Sequence, residues 1–340
     1  MTGWTAAFTA VASGGPAPSV QWQVSTDGGR TWLDITGATS PTYSFTMAAA
    51  DRGKRFRAVF GNTTGSAATE AAVVESAQAG IAHDFNGDGK PDLLWHHVQN
   101  GMHAVWYLDG VTRTDMAAIA DEPDLLWRIV GTADGDGDGR PDIFWRNAAT
   151  GANRVWYLDR LALTRVGILD QEPDLNWSIV GIADFNGDGK PDILWRHATT
   201  GGNRVWYIDE VTGTGVGILD AEEDLEWRIV GTADFNDDGK PDILWRHATT
   251  GANRVWYMDG VTRTGQGVLD AEPDLSWRIV GAADFNGDGK PDILWSNSLT
   301  GANMVWYLDG LVRTGVDALA TATAPGSTVA ELNWQISPFG

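Results

Sequence analysis

Five short loops carry the residues of this chain that could bind a metal ion. Each loop reads Asp-x-(Asn/Asp)-x-Asp-Gly-x-x-Asp, and the copies recur every 50 residues from Asp84 onward. Ca²⁺ takes about six to eight oxygen ligands, and alternate residues of a tight loop can direct oxygens inward. We therefore predict one structural Ca²⁺ per loop, about five in all. The side-chain ligands stand at loop positions one, three, five and nine, and the ligand at position seven is a backbone carbonyl.

The predicted ligands occupy the same positions in every loop. They are Asp84, Asn86, Asp88, Lys90, Asp92, Asp134, Asp136, Asp138, Arg140, Asp142, Asp184, Asn186, Asp188, Lys190, Asp192, Asp234, Asn236, Asp238, Lys240, Asp242, Asp284, Asn286, Asp288, Lys290 and Asp292. The competing interpretation is that these are ordinary polar turns between strands, but five regular copies disfavour it. The fourth loop has Asp237 where the others have Gly, which adds charge and is expected to strain the turn.

Composition limits the function classes that this chain can serve. It has 340 residues, no Cys and a formal charge of −21, which argues against disulfides, thiol chemistry and binding to nucleic acid. Sixteen of the 45 acidic residues stand at the candidate metal positions, so much of the acidity belongs to the loops. We see no signal peptide and no apolar run long enough for a membrane span.

The repeats predict a β-propeller. Within the fourth repeat, alternating apolar segments at residues 227–233, 243–247, 254–259 and 265–269 indicate four short strands. Four strands in a repeat of about 50 residues are typical of a propeller blade, and no segment keeps a helical period. The predicted fold is all-β, with a five-bladed propeller over residues 79–340.

The two ends of the repeat region suggest how the array closes. Repeats two to five each begin with a Trp-containing strand, at Trp127, Trp177, Trp227 and Trp277, whereas residues 77–80 of the first repeat lack one. The missing element recurs at residues 332–336, which contain Trp334. We predict that this C-terminal strand completes the first blade, because closure removes an exposed sheet edge. An open or stacked array is the alternative.

Residues 1–78 predict a separate small domain. Alternating segments at residues 7–12, 20–24, 43–47 and 56–60, separated by turns, are typical of an antiparallel sandwich. The passage around Trp22 resembles strands B and C of immunoglobulin-like domains of bacterial cell surfaces. That resemblance places Ala10 and Ala58 where such domains often have cysteines, and it places Trp22 in the core.

The repeat region also resembles a known family. The passage from residue 229 to residue 243, Ile-Val-Gly-Thr-Ala-Asp-Phe-Asn-Asp-Asp-Gly-Lys-Pro-Asp-Ile, is similar to FG-GAP/VCBS repeats, whose calcium loops are shared with the propellers of integrin α-subunits. The resemblance implies calcium-stabilised blades. The Phe-Gly and Gly-Ala-Pro tracts are not intact, and five blades differ from the seven of integrins, so integrin-type ligand binding is not implied.

A second set of residues could bind a ligand. The middle repeats combine polar and aromatic side chains of the kind that stack on sugars and bond to hydroxyls. The candidates are Arg146, Asn153, Arg154, Arg196, His197, Asn203, Arg204, Arg246, His247, Asn253 and Arg254. The alternative is that the Trp residues among them are core and that the Arg side chains are solvated or satisfy turns.

No catalytic motif is present, and nearly uniform repeats argue against an asymmetric active site. We therefore predict an extracellular, non-enzymatic adhesion or carbohydrate-binding protein, because millimolar extracellular calcium would fill loops of modest affinity. The expected partners are calcium and either glycans or a cell-surface protein. The alternatives are a self-assembling subunit of a surface filament or layer, and an accessory module of a larger secreted enzyme.

Overall fold

The structure, a computed structural model, describes residues 5–26, 29–46, 54–73, 83–319 and 333–339. Within these ranges every helix or strand element is a β-strand, as predicted. None of the described residues forms a helix that is long and apolar enough to cross a membrane. The chain divides into two compact units, Met1–Ala79 and Gly80–Gly340.

The first unit consists of two antiparallel sheets. Its strands are β1 (Thr5–Thr9), β2 (Ser19–Ser25), β3 (Leu33–Asp34), β4 (Thr42–Thr46), β5 (Arg55–Asn62), β6 (Gly65–Ala68) and β7 (Ala72–Val73). One sheet pairs β1 with β4, and the other has the order β3-β2-β5-β6, with β7 also paired to β5. The strand predicted at residues 7–12 in fact lies at Thr5–Thr9. Ala10 is the next residue in the register and its amide donates to the Pro41 carbonyl, but the ladder ends there because proline has no N–H to return a bond.

An aromatic core joins the two sheets of the first unit. Trp22 is buried beside its cross-strand partner Ala58, and its indole N–H donates to the Ser40 carbonyl at 2.9 Å. Phe8 and Ala10 pack against the same cluster. Trp22 and Ala58 thus share the core, as predicted. Residues 51–53, which precede β5, lie outside the described residues.

The second unit repeats one four-stranded antiparallel sheet. In repeats two to five the four strands pair in chain order. They are β11 (Trp127–Ala133), β12 (Asp142–Asn147), β13 (Asn153–Asp159) and β14 (Ala162–Leu169); β15 (Trp177–Ala183), β16 (Asp192–His197), β17 (Asn203–Asp209) and β18 (Thr212–Leu219); β19 (Trp227–Ala233), β20 (Asp242–His247), β21 (Asn253–Asp259) and β22 (Thr262–Leu269); and β23 (Trp277–Ala283), β24 (Asp292–Asn297), β25 (Asn303–Asp309) and β26 (Val312–Ala318).

The first repeat obtains its fourth strand from the end of the chain. Its sheet has the order β10-β9-β8-β27. These strands are β8 (Leu93–His97), β9 (His103–Asp109), β10 (Thr112–Ile119) and β27 (Trp334–Ile336). Trp334 pairs with His97, and Ile336 pairs with Trp95. The C-terminal strand therefore lies where it was predicted, although Leu332 and residues 77–80 are outside the described residues.

Burial differs sharply between the strands of one sheet. The second strands are buried along nearly their whole length, and Ile193, Leu194 and Trp195 are 0% exposed. The fourth strands face solvent on one side, where Ile168 and Ile218 are each 70% exposed. A strand that is apolar on both faces must pack between two neighbouring sheets, and this accounts for the stacking of the repeats.

Hydrophobic clusters link each sheet to the next. One cluster joins repeats one and two, another two and three, another three and four, and another four and five. A fifth cluster joins repeat five to repeat one through Ile336 and Phe339. The Phe339 amide donates to the Val280 carbonyl at 3.1 Å, and a side chain at Gly281 would overlap the Phe339 ring. The described sheets thus form a β-propeller-like array.

Candidate metal centres

In repeats two to five the acidic loops connect the first and second strands of each sheet, and in the first repeat the loop precedes β8. In the second repeat, the loop between β11 and β12 brings Asp134, Asp136 and Asp138 together. One carboxylate oxygen from each lies within 4.8 Å of the others. Three oxygen donors at this spacing can share one cation, because Ca²⁺–oxygen bonds are about 2.3–2.6 Å long.

The first Asp of each loop organises the backbone around itself. Asp184 Oδ1 accepts hydrogen bonds from the amides of Gly187 at 2.7 Å and Asp188 at 3.1 Å. Its Oδ2 accepts from the Gly189 amide at 2.7 Å. Asp188 Oδ1 in turn accepts from the Lys190 amide at 2.9 Å. The first Asp of each other loop makes the corresponding bonds to the fifth and sixth loop residues.

The donor set of the second loop fits a hard divalent cation. Its side-chain donors are carboxylate oxygens, which Ca²⁺ prefers over nitrogen and sulfur ligands. Burial, reinforced by the charges of Asp136 and Asp134, raises the pKa of Asp138. Carboxylates this close repel one another, and a cation between them would relieve that repulsion. Asp134, Asp136 and Asp138 would hold it.

The seventh loop residues turn their side chains away from the loop. Each pairs with the Asp that ends the third strand of its own sheet. The pairs are Lys90–Asp109, Arg140–Asp159, Lys190–Asp209, Lys240–Asp259 and Lys290–Asp309. The side chains at this position are thus engaged outside the loop, and ligation through the backbone carbonyl stays a prediction.

The ninth loop residues are fully buried and bonded on both oxygens. Asp192 is 0% exposed. Its Oδ2 accepts from the Phe185 amide at 3.0 Å and its Oδ1 from the Ile208 amide at 3.2 Å. Burial raises its pKa to about 7. Asp142 makes the same two bonds and is not part of the three-carboxylate group. Metal ligation by these residues stays a prediction, and the geometry adds a structural role, that of tying the loop to the third strand.

The fourth residue of each loop requires a left-handed backbone. Gly187 has φ 75° and Gly287 has φ 79°. Asp237 takes φ 58° at the same position, which costs a side chain some strain, although Asp tolerates it better than most residues. The strain expected from the sequence therefore falls on this residue.

The arginines predicted to bind a ligand are largely buried between neighbouring sheets. Arg146, Arg196 and Arg246 are each 7% exposed. Arg146 donates to the carbonyls of Gly151, Glu172 and Trp177 at 2.9–3.0 Å. It also lies 4.8 Å over the ring of Trp195 in the next repeat. These arginines therefore form contacts between neighbouring repeats. The geometry gives no support to their predicted role in ligand binding.

The remaining candidates also have partners within the protein. Arg154, Arg204 and Arg254 pair with Glu122, Glu172 and Glu222 and lie 3.9 Å over the rings of Trp127, Trp177 and Trp227. Asn153, Asn203 and Asn253 are buried and donate to the carbonyls of Asp170, Asp220 and Asp270. His197 and His247 contact Asp174 and Asp224 at 3.3 Å. These contacts engage each of the candidate side chains within the protein, and sugar binding by them stays a prediction.

A cavity not expected from the sequence lies between the second and third repeats. Its volume is about 550 Å³, and Asp170, Arg204, Trp206 and Gly213 line it. The signal was present in the sequence, because Gly213 aligns with Arg263 and Arg313 of the next two repeats. A single glycine in a glycine-rich strand does not by itself indicate that a side chain present in other repeats is missing.

Both regions of the chain match known protein families. Residues 84–145, 134–195, 184–245 and 234–295 each match the FG-GAP-like repeat family. Residues 3–77 match a domain of unknown function. A curated relative, Endoglucanase C of Cellulomonas fimi, is 51% identical over 72 residues, and this match spans 21% of the present chain and only 6% of the relative.

Solved structures give weaker similarities. A protein of unknown function from Bacteroides caccae has 12% identity and a TM-score of 0.37, with 66% of this chain and 72% of that chain covered. A nidogen/laminin complex has 14% identity and a TM-score of 0.39, covering 66% and 92%. An auxiliary nutrient binding protein from Bacteroides thetaiotaomicron has 11% identity and a TM-score of 0.38, covering 87% and 78%.

The four overlapping matches run from residue 84 to residue 295 and so span more than half of the chain. They agree with the resemblance derived from the acidic loops and with the repeated four-stranded sheets. The chain belongs to the FG-GAP-like repeat family.

Proposed function

We propose that this chain is a calcium-binding recognition module without catalytic activity. The observation that carries the proposal is the group formed by Asp134, Asp136 and Asp138, whose carboxylate oxygens converge within 4.8 Å. The other four loops have the same spacing of oxygen-bearing residues and the same bonds around their first Asp. A bound Ca²⁺ would supply the positive charge that holds such clustered carboxylates together.

We further propose that the five repeats are the blades of a closed propeller. The hydrophobic clusters link consecutive sheets in order, and one of them links the last sheet to the first. His83 supports the same arrangement, because its ring stacks on Phe339 at 3.8 Å between centroids. Its Nδ1 also lies 2.6 Å from Thr132 Oγ1 in the second repeat. Residues from the first repeat, the second repeat and the C-terminus thus meet in one place.

The first unit is proposed to be immunoglobulin-like. Its two packed antiparallel sheets and the Trp22–Ala58 core support that assignment. An extracellular location follows from the calcium proposal, since loops of modest affinity fill at millimolar calcium but stay empty in resting cytosol. A recognition module at a cell surface, either adhesive or carbohydrate-binding, is the function that fits these features together.

Matched variants of the second loop test the calcium proposal. Asp138→Asn removes a charge from the three-carboxylate group and should weaken calcium binding in this repeat. Asp136→Asn is the control, because the four other loops already have Asn at that position. Saturating calcium should raise the melting temperature of wild type and of the control, because each occupied site adds about 2.7 kcal/mol to the free energy of unfolding at a hundredfold excess of calcium over Kd. Equal melting with calcium and with EGTA would refute the proposal.

The recognition role needs a separate experiment. A glycan array and a binding assay on intact cells, each with calcium and with EDTA, would show whether the chain recognises a surface. Calcium-sensitive binding in either assay supports the role. Absence of binding in both assays would argue against the recognition role and would leave the calcium proposal unaffected.

A second candidate function is an accessory module of a larger secreted enzyme. The observation that favours it is the 51% identity over 72 residues to Endoglucanase C. Measuring the mass of the native protein from its source would test this candidate. A mass close to 36.6 kDa, that of this chain, would rule it out, and attachment to a catalytic domain would support it.

A further inference from the structure

Repeats four and five cover the Trp of their third strand with an Arg of their fourth strand. The Arg263 guanidinium lies 4.5 Å from the ring centroid of Trp256, and its Nε lies 3.3 Å from Asp220 Oδ2 at the end of the preceding repeat. In repeat five, Arg313 makes the same contacts, 4.4 Å from the ring of Trp306 and 3.1 Å from Asp270 Oδ2. An indole face and a carboxylate of the preceding repeat therefore form a guanidinium site, which the chain fills itself.

The third repeat keeps this site but lacks the arginine. Trp206 and Asp170 stand at the Trp and Asp positions, and Gly213 stands at the Arg position. Trp206 is partly exposed, whereas Trp256 and Trp306 are 1% and 2% exposed. No basic side chain among the described residues lies within ion-pair distance of Asp170. The result is the cavity of about 550 Å³, a size typical of ligand pockets.

The second repeat also lacks the arginine, but it lacks the carboxylate as well. Leu163 replaces it, and Ala120 replaces the Asp of the preceding repeat. Trp156 is only 4% exposed there, so the site is closed and uncharged. In the third repeat the arginine is absent but the carboxylate and the open indole face remain. That combination is what a cationic ligand from outside the chain would require.

We propose that this pocket, formed by Trp206, Asp170 and Gly213, binds a guanidinium group supplied from outside the chain. The group comes from an arginine side chain of a peptide or protein, or from a free guanidinium compound. The planar guanidinium stacks on an indole face and pairs with a carboxylate at once, whereas a lysine ammonium is a compact, strongly hydrated charge. The inference gives a ligand class to the recognition role proposed above and rests on it.

A positive charge already lines the pocket, but it does not exclude a second one. Arg204 lies 5.0 Å from the ring centroid of Trp206 and pairs with Glu172. Repeat four has the same arrangement, in which Arg254 pairs with Glu222 and lies 5.3 Å from the ring of Trp256. Arg263 occupies its site beside that pair. The third repeat therefore offers a guanidinium the electrostatic surroundings that repeat four provides for its own.

Binding of defined guanidinium probes tests the proposal. The probes are N-acetyl-arginine amide and a capped Gly-Gly-Arg-Gly-Gly peptide, with the lysine and citrulline versions of the peptide as controls. Calorimetry on the full chain in calcium should show one site for the arginine probes. It should show weaker binding of lysine and no binding of citrulline, which lacks the charge. Asp170→Asn should lower the affinity about tenfold or more, since a charge-assisted pair is lost.

Two further variants and a control distinguish loss of the binding site from a folding defect caused by Asp170→Asn. Gly213→Arg should supply the missing side chain, abolish probe binding and raise the melting temperature. A Cβ there would lie 2.9 Å from Asp170 Oδ2, a mobile carboxylate end that can move aside. Arg263→Gly should open a second site in repeat four and raise the stoichiometry to two. Leu163→Gly is its matched control and should add no site, because Ala120 offers no carboxylate.

The binding results distinguish the two sources of the guanidinium group, and they distinguish this inference from the calcium proposal. Tighter binding of the peptide than of the amino acid amide indicates a peptide or protein partner, and equal binding indicates a free compound. Absence of binding to both arginine probes, equal binding of citrulline, or an unchanged stoichiometry in Arg263→Gly would overturn the inference. Calcium binding without arginine binding refutes this inference alone, whereas arginine binding without calcium binding refutes only the calcium proposal.

Discussion

At the scale of single residues, the fourth position of the acidic loop allows the conformational strain of a left-handed backbone to be measured. The loop of the fourth repeat has Asp237 at this position, with φ 58°, whereas the loops of the other repeats have Gly. Asp237→Gly should raise the free energy of unfolding by up to about 1 kcal/mol, because Gly adopts positive φ without strain. Gly187→Ala should lower it by about 1–2 kcal/mol. Urea unfolding in calcium measures both, and destabilisation by Asp237→Gly would contradict the strain argument.

Two buried histidines replace the Arg and Asn of the middle repeats in the first repeat. His96 Nδ1 and His103 Nε2 are 3.0 Å apart, and His103 Nδ1 lies 2.9 Å from the Ala120 carbonyl. Burial lowers the pKa of His96 to about 4, and the charges of His103, Arg128 and His97 act in the same direction. Burial also lowers the pKa of His103, although Asp121 and Glu122 partly oppose this.

These histidines should make the fold sensitive to acid. The unfolded histidines take up protons near pH 6.5, whereas folded His96 does so only near pH 4. Stability is therefore full above about pH 6.5 and falls by roughly 1–3 kcal/mol as the pH drops towards 4. The double variant His96→Arg/His103→Asn restores the pattern of the middle repeats and should flatten that decline. Identical pH profiles of urea stability for the two proteins would contradict this prediction.

Residue types alone predicted the loop aspartates but not the role of the arginines. The loop spacing is a local pattern, so the convergence of Asp134, Asp136 and Asp138 could be expected from the sequence, whereas metal binding there stays a prediction. Whether Arg196 faces solvent depends on the next sheet, which covers both faces of its strand, and no local pattern reports that contact. Gly213 was missed for a related reason, since its meaning lies in the difference from Arg263 in another repeat.

At the scale of elements, strand positions were predictable within a few residues. Strand β19 has the predicted bounds Trp227–Ala233, and β20 and β21 each begin one residue earlier than predicted. The fourth strand was predicted from residue 265, but β22 begins at Thr262. The register shifts between Tyr257 and Met258, and a bulge of this kind interrupts the alternation from which strands are read.

Contacts between neighbouring sheets should dominate the stability of this array. Arg196 donates to the Gly201 and Glu222 carbonyls at 3.1 and 3.2 Å and lies 4.9 Å over the ring of Trp245. Arg196→Met removes the donor to the Glu222 carbonyl and to Asn203 Oδ1 together with the cation over the Trp245 ring, and should cost about 2–4 kcal/mol. The control is Arg228→Met at an exposed position, which should stay within about 0.5 kcal/mol. Equal urea midpoints for the two variants would contradict the packing role.

At the scale of the whole repeat region, the proposed closure depends on a few C-terminal residues. Phe339 is buried against the first and fifth repeats, so Phe339→Ala should cost about 3–5 kcal/mol. Removal of residues 334–340 should unfold the repeat region or drive it to associate through the exposed strand β8. Sedimentation velocity and thermal melting check both variants. A monomeric truncation with unchanged melting would favour an open array over a closed ring.

The closure prediction drew on the whole repeat region rather than on any single repeat. The absence of a Trp strand before the first loop and its presence near Trp334 indicated that the two ends share a sheet. The contacts of Phe339 with Gly281 and His83 could not be foreseen, because they depend on how closely the first strands approach one another. Glycine at residue 281 permits that approach.

The most direct test of the central claim is a count of the calcium ions bound to the chain. Protein equilibrated in millimolar calcium and passed through a column at low calcium would be measured by elemental analysis against its concentration, with native mass spectrometry to resolve the bound states. We predict about five ions per chain, one per loop, and about four for Asp138→Asn. A chain that binds no calcium, or that binds it only in the second repeat, would contradict the proposal of one calcium ion per loop.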